Sequence, residues 1–332
     1  MREALVLTAG IGTRLRPLSY DRAKAAVPVA GVPLIHRILS WLAGLGTRRA
    51  VLNLHHRADT ITRLVGDGSQ LGMSVRYSWE DPILGSAGGP RQALSFFDTD
   101  PLLIVNGDTL TDVDVNVMAS AHAGSGAQVT MAVIPNPDPS HYGGVIVDDR
   151  GWITAFTPPG TKGPSHHFIG VQIAQHAVFA DLPPGRRSET VNELYPVLMR
   201  RTPGSVRAFV SNAHFRDIGT PADYLETSLD LARVEGRSAS ALVGESVRID
   251  PTARLRDTIV WDRVTIEPAC DLWRAIIGDD VRIPAGSRFA ECSVVLARGR
   301  TPSAGEELRG ELLVTPLIVR PGPAGRGPGT AS

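Results

Sequence analysis

The chain has 332 residues, 42% of them hydrophobic and 20% charged, with a formal net charge of zero. That length predicts about two domains at ~150 residues each, and the composition is that of a globular protein with a real core. Zero net charge excludes a nucleic-acid binder working through bulk positive charge, and no apolar run approaches the ~18 residues of a membrane span.

Residues 2–8 read as a buried strand running into a Gly-rich loop, and that apolar stretch breaks at Gly10, too early for a secretory leader. Apolar positions at helical spacing over 33–45, with Pro33 in the first turn, predict a helix. Strands at 50–54, 102–105 and 129–134 alternate with helices at 57–65 and 115–123, the latter capped by Asp114. This alternation predicts an α/β fold, a doubly wound and mainly parallel sheet. Short alternating runs at 143–147 and 152–156 flank Asp148-Asp149-Arg150-Gly151, a hairpin signal. Strands at 168–174 and 206–211 and helices at 189–201 and 221–235 complete residues 1–237.

Beyond 238 the texture changes to a 17-residue repeat. Val243, Val260, Ile277 and Val294 keep that spacing, as do Ile249, Ile266 and Ile283, and Leu255, Leu272 and Phe289. Inward aliphatics about every six residues predict a parallel β-helix over 238–320, whose coils each need a neighbour to cover them. Cys270 falls in an inward or corner column and reads as a packed small residue. With Cys292 it makes a pair too small for a disulfide framework, so a reducing cytoplasm is expected. The Pro/Gly-rich stretch 321–332 reads as a disordered tail.

The strongest motif is Leu7-Thr-Ala-Gly-Ile-Gly-Thr-Arg-Leu-Arg-Pro-Leu18. Glycines let backbone N–H groups approach phosphates, and a guanidinium adds bidentate charge. It is neither a Walker loop nor a Gly-x-Gly-x-x-Gly dinucleotide loop, since position 15 is Leu. Asp108 follows an apolar strand, which puts it at the carboxyl end of the sheet, where open α/β sheets bind ligands. Of the 34 basic residues only Lys24 and Lys162 are lysine. GC-biased coding accounts for the arginine excess but not for the two positions that stay lysine.

The whole string resembles the signature of sugar-1-phosphate nucleotidylyltransferases, Gly-x-Gly-Thr-Arg-Leu-x-Pro-Leu. The resemblance continues through the segment around Lys24, where Ala23 and Ala25 replace the family's prolines. Leu84-Gly-Ser-Ala-Gly-Gly89, Val105-Asn-Gly-Asp108, His141-Tyr-Gly-Gly144, the Gly170 region and Phe215-Arg-Asp-Ile-Gly-Thr-Pro-Ala-Asp-Tyr224 follow in order over residues 3–235. A left-handed β-helix behind such a domain resembles the mannose-1-phosphate guanylyltransferases. The resemblance implies that Arg14, Lys24 and Asp108 are catalytic and that Asp108 and Asp217 hold Mg²⁺. It places the nucleotide on Ala9, Gly10, Gly12, Thr13, Arg14, Glu80, Gly85 and Ser86. The sugar phosphate falls to Tyr142, Gly143, Lys162, Gly170 and Glu193. The β-helix is expected to join copies into a homo-oligomer, with no nucleic acid or membrane as partner.

The sugar half departs from the pattern. Pro158 stands where the family has a phosphate-holding Lys, with Lys162 four residues later. Phe168 stands at the family's Asn and Val191 at its sugar-contacting Glu, while Glu193 and Pro196 are kept. His166 and His167 flank this altered strand, with no Cys or third His nearby to make a zinc site. The expected reaction is attack of a sugar 1-phosphate on the α-phosphorus of a nucleoside triphosphate, with mannose and GTP ahead of glucose with dTTP or UTP. The alternatives are a non-catalytic sensor of nucleotide sugars, motivated by Pro158 and Val191, and a glycosyltransferase using Asp112-Val-Asp114 as its metal motif.

Overall fold

In the computed structural model, which describes residues 1–237 and 241–317, contacts divide the chain into two compact units, the first ending at Arg237. The tail expected at 321–332 lies outside the described residues.

The first unit is built on a nine-stranded sheet whose main path runs 153–157, 144–147, 166–174, 102–106, 3–7, 49–54, 74–79. Leu102–Asn106, Glu3–Leu7, Arg49–Leu54 and Ser74–Trp79 are mutually parallel. Ala4, Leu5 and Val6 are fully buried, as are Leu102, Leu103 and Ile104. Such runs, apolar on both faces, are what a parallel sheet covered by helices on both sides requires. The Leu34–Gly44 helix turns Leu34, Ile35, Ile38, Leu39 and Leu42 inward, the face its periodicity predicted.

The sheet is mixed beyond 102–106. His166–Ala174 runs antiparallel to both Leu102–Asn106 and Val129–Pro135, and Val206–Val210 pairs parallel with the latter. The chain returns from 129–135 through the hairpin Gly144–Val147/Ile153–Thr157 rather than a crossover helix, and that reverses the strand. Strand 166–174 also shifts register between Phe168 and Gln172. Gly170, at φ +79°, sits in that irregularity, and a Cβ there would lie 2.6 Å from Thr109 Oγ1.

Two elements were not visible in the sequence pattern. Ser74–Trp79 is an edge strand with a mixed polar face. Gly85–Ala93, for which the sequence pattern predicts no element, is a helix that begins at Gly85. The helix expected at 189–201 is a π-turn, Thr190–Leu194, followed by an α-helix, Tyr195–Arg201.

In the second unit every parallel pairing joins residues one repeat apart. Leu242 lies on Ile259, Ile259 on Ile276, Ile249 on Ile266, Ile266 on Ile283, and Leu272 on Phe289. Each coil therefore has three short sides. Left-handed backbone recurs at the corners in the same period, at Ser246, Arg263 and Asp280 and at Asp257, Arg274 and Glu291. A non-glycine residue there costs roughly 1–2 kcal/mol, and ladders along the stack oppose that cost. Asp262 Oδ1 accepts from the Glu245 N–H at 2.8 Å, Asp279 Oδ1 accepts from the Asp262 N–H at 3.0 Å, and Arg263 pairs with Asp280 at 2.6 Å. Cys270 is buried in the inward column, its Sγ 3.2 Å from the Pro284 carbonyl. Leu312–Pro316 turns antiparallel on the last coil and closes its edge.

Candidate active site

The chain leaves strand 3–7 for 49–54 on one side and comes back to 102–106 on the other, so the carboxyl ends of 3–7 and 102–106 form a topological switch point. Gly107 allows the two strand ends to close up. Its N–H donates to the Leu7 carbonyl at 2.9 Å, and a Cβ would stand 2.6 Å from that same oxygen. A cleft of about 260 Å³ opens there, lined by Thr8, Gly10, Lys24, Glu80, Asp108 and Glu189 among others.

The glycine loop has two distinct functions. Gly12 adopts φ +67°, caps the turn Thr13–Leu15, and accepts from Ser19 Oγ at 2.7 Å. A Cβ on Gly12 would also press on Ser19 Cβ at 3.2 Å. Gly10 meets nothing within 4 Å. Its missing side chain therefore serves no internal packing and leaves backbone open to a ligand. Ala9 is buried beside it, while Thr13 and Arg14 stand exposed at the mouth.

Opposite this loop two carboxylates converge on one ammonium. Lys24 Nζ is 2.8 Å from Asp108 Oδ2 and 3.9 Å from Asp217 Oδ1. A two-stranded sheet, Thr109–Thr111 with Phe215–Asp217, brings the distant acids together by pairing Asp217 with Thr109. His214 locks this sheet, donating its N–H to Asp112 Oδ1 at 2.7 Å and placing Nδ1 2.6 Å from Oδ2. Asp112 is thereby committed to structure, and Asp114 caps the 115–123 helix through the Asn116 and Val117 N–H groups. Burial works to raise the Asp108 carboxyl, but the charges of Lys24 and Arg14 outweigh it and hold it below the usual range. Burial wins at Asp217, which is raised, Lys24 opposing and the Asp108 charge adding to the rise. Gly219 completes the corner: a Cβ there would lie 2.7 Å from Asp217 Oδ2 and 3.3 Å from Arg14.

Glu80 is buried at the cleft floor with both oxygens engaged. Oε1 accepts from Asn53 Nδ2 and Oε2 from the Leu84 N–H, each at 2.8 Å. Asn53 Oδ1 in turn accepts from the Thr8 N–H at 2.6 Å. This relay ties together three strand ends and the start of the 85–93 helix. Desolvation raises the Glu80 carboxyl above its ordinary range, against those hydrogen bonds. Gly85 and Ser86 meet Glu189, which sequence reasoning passed over. Its Oε2 accepts from the Ser86 N–H at 3.1 Å and from Ser86 Oγ at 2.7 Å. A carboxylate of the protein thus occupies the helix start. The only sequence signal for Glu189 was an acid two residues before the lost position at Val191.

On the far side of the carboxylates, Tyr142 stacks with His167 at 4.3 Å between centroids and packs edge-on to Phe215 at 5.7 Å. Burial lowers the His167 imidazole to about 4, so the ring is neutral. His166 and His167 lie in a strand, not a loop. Gly143 sits at the foot of this cluster, and Gly170 backs onto Asn106 and Thr109. Two expected sugar-side residues, Lys162 and Glu193, do not line the cleft. Lys162 is exposed on the 158–165 loop and, among the described residues, forms no ion pair. Glu193 turns back onto its own segment, accepting from Ser188 Oγ at 2.9 Å, and does not line the cleft. The π-turn that begins at Thr190 sets this direction.

Residues 3–234 match the nucleotidyl transferase family model, and 232–291 match the model for the GlmU-like, C-terminal hexapeptide region. The chain is 30% identical over 293 residues to a mannose-1-phosphate guanylyltransferase of Mycobacterium tuberculosis, covering 86% of this chain and 82% of that protein. It is 28% identical over 311 residues to a UTP–glucose-1-phosphate uridylyltransferase of Synechocystis, covering 88% and 78%. Among solved structures, HddC from Yersinia pseudotuberculosis complexed with GMP-PN superimposes with a TM-score of 0.61 at 25% identity, over 70% of this chain and all of that one. With a left-handed hexapeptide β-helix behind its catalytic unit, the chain belongs to the nucleotidyl transferase family, and its relatives there are sugar-1-phosphate nucleotidyltransferases.

Proposed function

We propose that the protein transfers a guanylyl group from GTP to mannose 1-phosphate, giving GDP-mannose and pyrophosphate. The observation that carries this is the convergence of Asp108, Asp217 and Lys24 beside an open glycine loop at the sheet's switch point. The guanylyltransferase relative and the GMP-PN complex of HddC support the base and the sugar class.

A sugar phosphate oxygen attacks the α-phosphorus in line. A new phosphorus–oxygen bond forms, the bond to the β-phosphate bridging oxygen breaks, and pyrophosphate leaves with its electron pair. The nucleophile is already an anion, so no general base is needed, and rate comes from positioning and charge. Gly10 presents backbone to the triphosphate, and Gly12 shapes the turn that holds it there. Arg14 and Lys24 offset negative charge that spreads over the phosphoryl oxygens in the transition state.

Asp108 and Asp217 fit a divalent cation such as Mg²⁺, being hard oxygen donors whose crowding leaves Asp217 reluctant to ionise on its own. Among the described residues no group of three or more acidic, His or Cys side chains converges, so phosphate oxygens and water would complete the shell. When bound, such an ion supplies Lewis-acid charge at the α-phosphate and orients the two reacting oxygens.

The test is pyrophosphate release with Mg²⁺ across a panel of nucleoside triphosphates and sugar 1-phosphates. GTP with mannose 1-phosphate is expected to lead. Lys24→Ala and Asp108→Ala should each cost on the order of 100-fold or more in turnover while leaving a folded protein. No turnover with any pair, together with tight binding of a nucleotide sugar, would overturn the enzyme reading. That second reading, a sensor of nucleotide sugars, is favoured only by the sugar half, where Val191 packs half-buried against the core and Lys162 is exposed. A reducing cytoplasm fits the two buried free cysteines.

A further inference from the structure

A second cavity, about 500 Å³ and so roomier than the cleft, lies behind the segment that carries Glu189. Val178, Leu182, Leu194, Val197 and Leu198 form its apolar wall. That volume and lining are those of a small-molecule pocket. Three polar side chains border it. Gln128 lines it and, among the described residues, its buried Oε1 meets no hydrogen-bond donor, a state that protein interiors rarely leave unfilled. Arg186 and Arg201, both exposed, line it too, and among the described residues neither forms an ion pair although Asp181 and Glu193 share the same cavity. Glu193 is already satisfied by Ser188 Oγ at 2.9 Å and the Glu189 N–H at 3.3 Å.

We propose that this cavity is a second binding site, for a nucleoside diphosphate, distinct from the cleft. The apolar wall accepts a planar base, the Gln128 amide pairs with a base edge that presents both a donor and an acceptor, and the two guanidiniums take the phosphates. The site is wired to the cleft through one peptide. Ser188 lines the cavity, its carbonyl accepts from the Ala87 and Gly88 N–H groups at 2.9 and 3.3 Å, and its N–H donates to the Leu84 carbonyl at 2.9 Å. The next residue, Glu189, lines the cleft and holds Ser86. A ligand that pulls on Arg186 or Ser188 therefore biases the start of the 85–93 helix, whose Gly85 and Ser86 line the cleft.

Equilibrium dialysis of the full chain with radiolabelled GDP tests this. Two equivalents per chain are expected, one in the cleft and one in the cavity. Val197→Trp should fill the cavity and leave one equivalent. The double change Arg186→Ala with Arg201→Ala should weaken the second equivalent at least tenfold, and it keeps the test open if the tryptophan disturbs folding. One equivalent or fewer in the unmodified chain, or two equivalents that neither variant alters, would overturn the proposal. The binding count is independent of pyrophosphate release, so failure of the transfer reaction and failure of this site are told apart.

Discussion

Lys24 shows why one cation among 34 can matter. Its ammonium is the common neighbour of both acids, and its side chain is only 12% exposed. A planar guanidinium could not occupy that point in the same way, so Lys24→Arg should not restore turnover. Gly219 is a second small residue with a large consequence. Its missing Cβ leaves room for Asp217 Oδ2. Gly219→Ala is expected to swing that carboxylate away, cutting turnover at least tenfold with little change in the unfolding midpoint; equal turnover would show that Asp217 has no fixed role. Glu80 behaves differently. It faces two donors, Asn53 Nδ2 and the Leu84 N–H, so a carboxamide must turn its NH₂ toward one of them. Glu80→Gln should therefore lose about 1–3 kcal/mol in urea unfolding. The raised Glu80 carboxyl also has a sign: its ionised form carries a folding cost above the raised value, and that cost disappears as pH falls below the ordinary carboxylate range.

At the level of elements, the glycine loop, the Lys24 turn and the 102–108 strand end were legible because each is a local string. The helix at 115–123 was legible with its cap, Asp114, which accepts from Asn116 and Val117 at 2.9 and 3.0 Å. Asp114→Ala should cost about 0.5–2 kcal/mol, read as a shift in the denaturant midpoint with unchanged slope. The 85–93 helix was missed because three glycines and Pro90 contradict helix propensity. It persists because its glycines allow close packing: a Cβ on Gly88 would lie 2.6 Å from the Arg186 carbonyl, and one on Gly89 2.6 Å from Glu80 Oε1. The two-stranded sheet at 109–111 and 215–217 was also missed, since strands of three residues carry too little pattern to read.

At the scale of the molecule, the 17-residue register predicts the second unit's pairing residue by residue. Its faces expose Trp273, Ile249 and Val243, at 40%, 38% and 45%. We expect these flat faces to join copies of the chain, as exposed apolar patches do. Sedimentation velocity should give a multiple of 35.4 kDa, and Trp273→Glu should shift the distribution toward that mass. A single 35.4 kDa species at tens of micromolar would refute it.

The sequence alone determined three of the four parallel strands, the β-helix and the family, because each is written in short strings or in a strict period. Tertiary structure decided what those strings face. It set Glu189 and not Glu193 at the cleft, since Glu193 lies within the 190–194 π-turn and bonds back to Ser188. It brought Asp217 to Asp108 through a strand pair that no local signal announces. It left Lys162 exposed on a loop. Contacts between residues far apart in the chain depend on the path of the backbone between them, and spacing along one segment carries no record of that path.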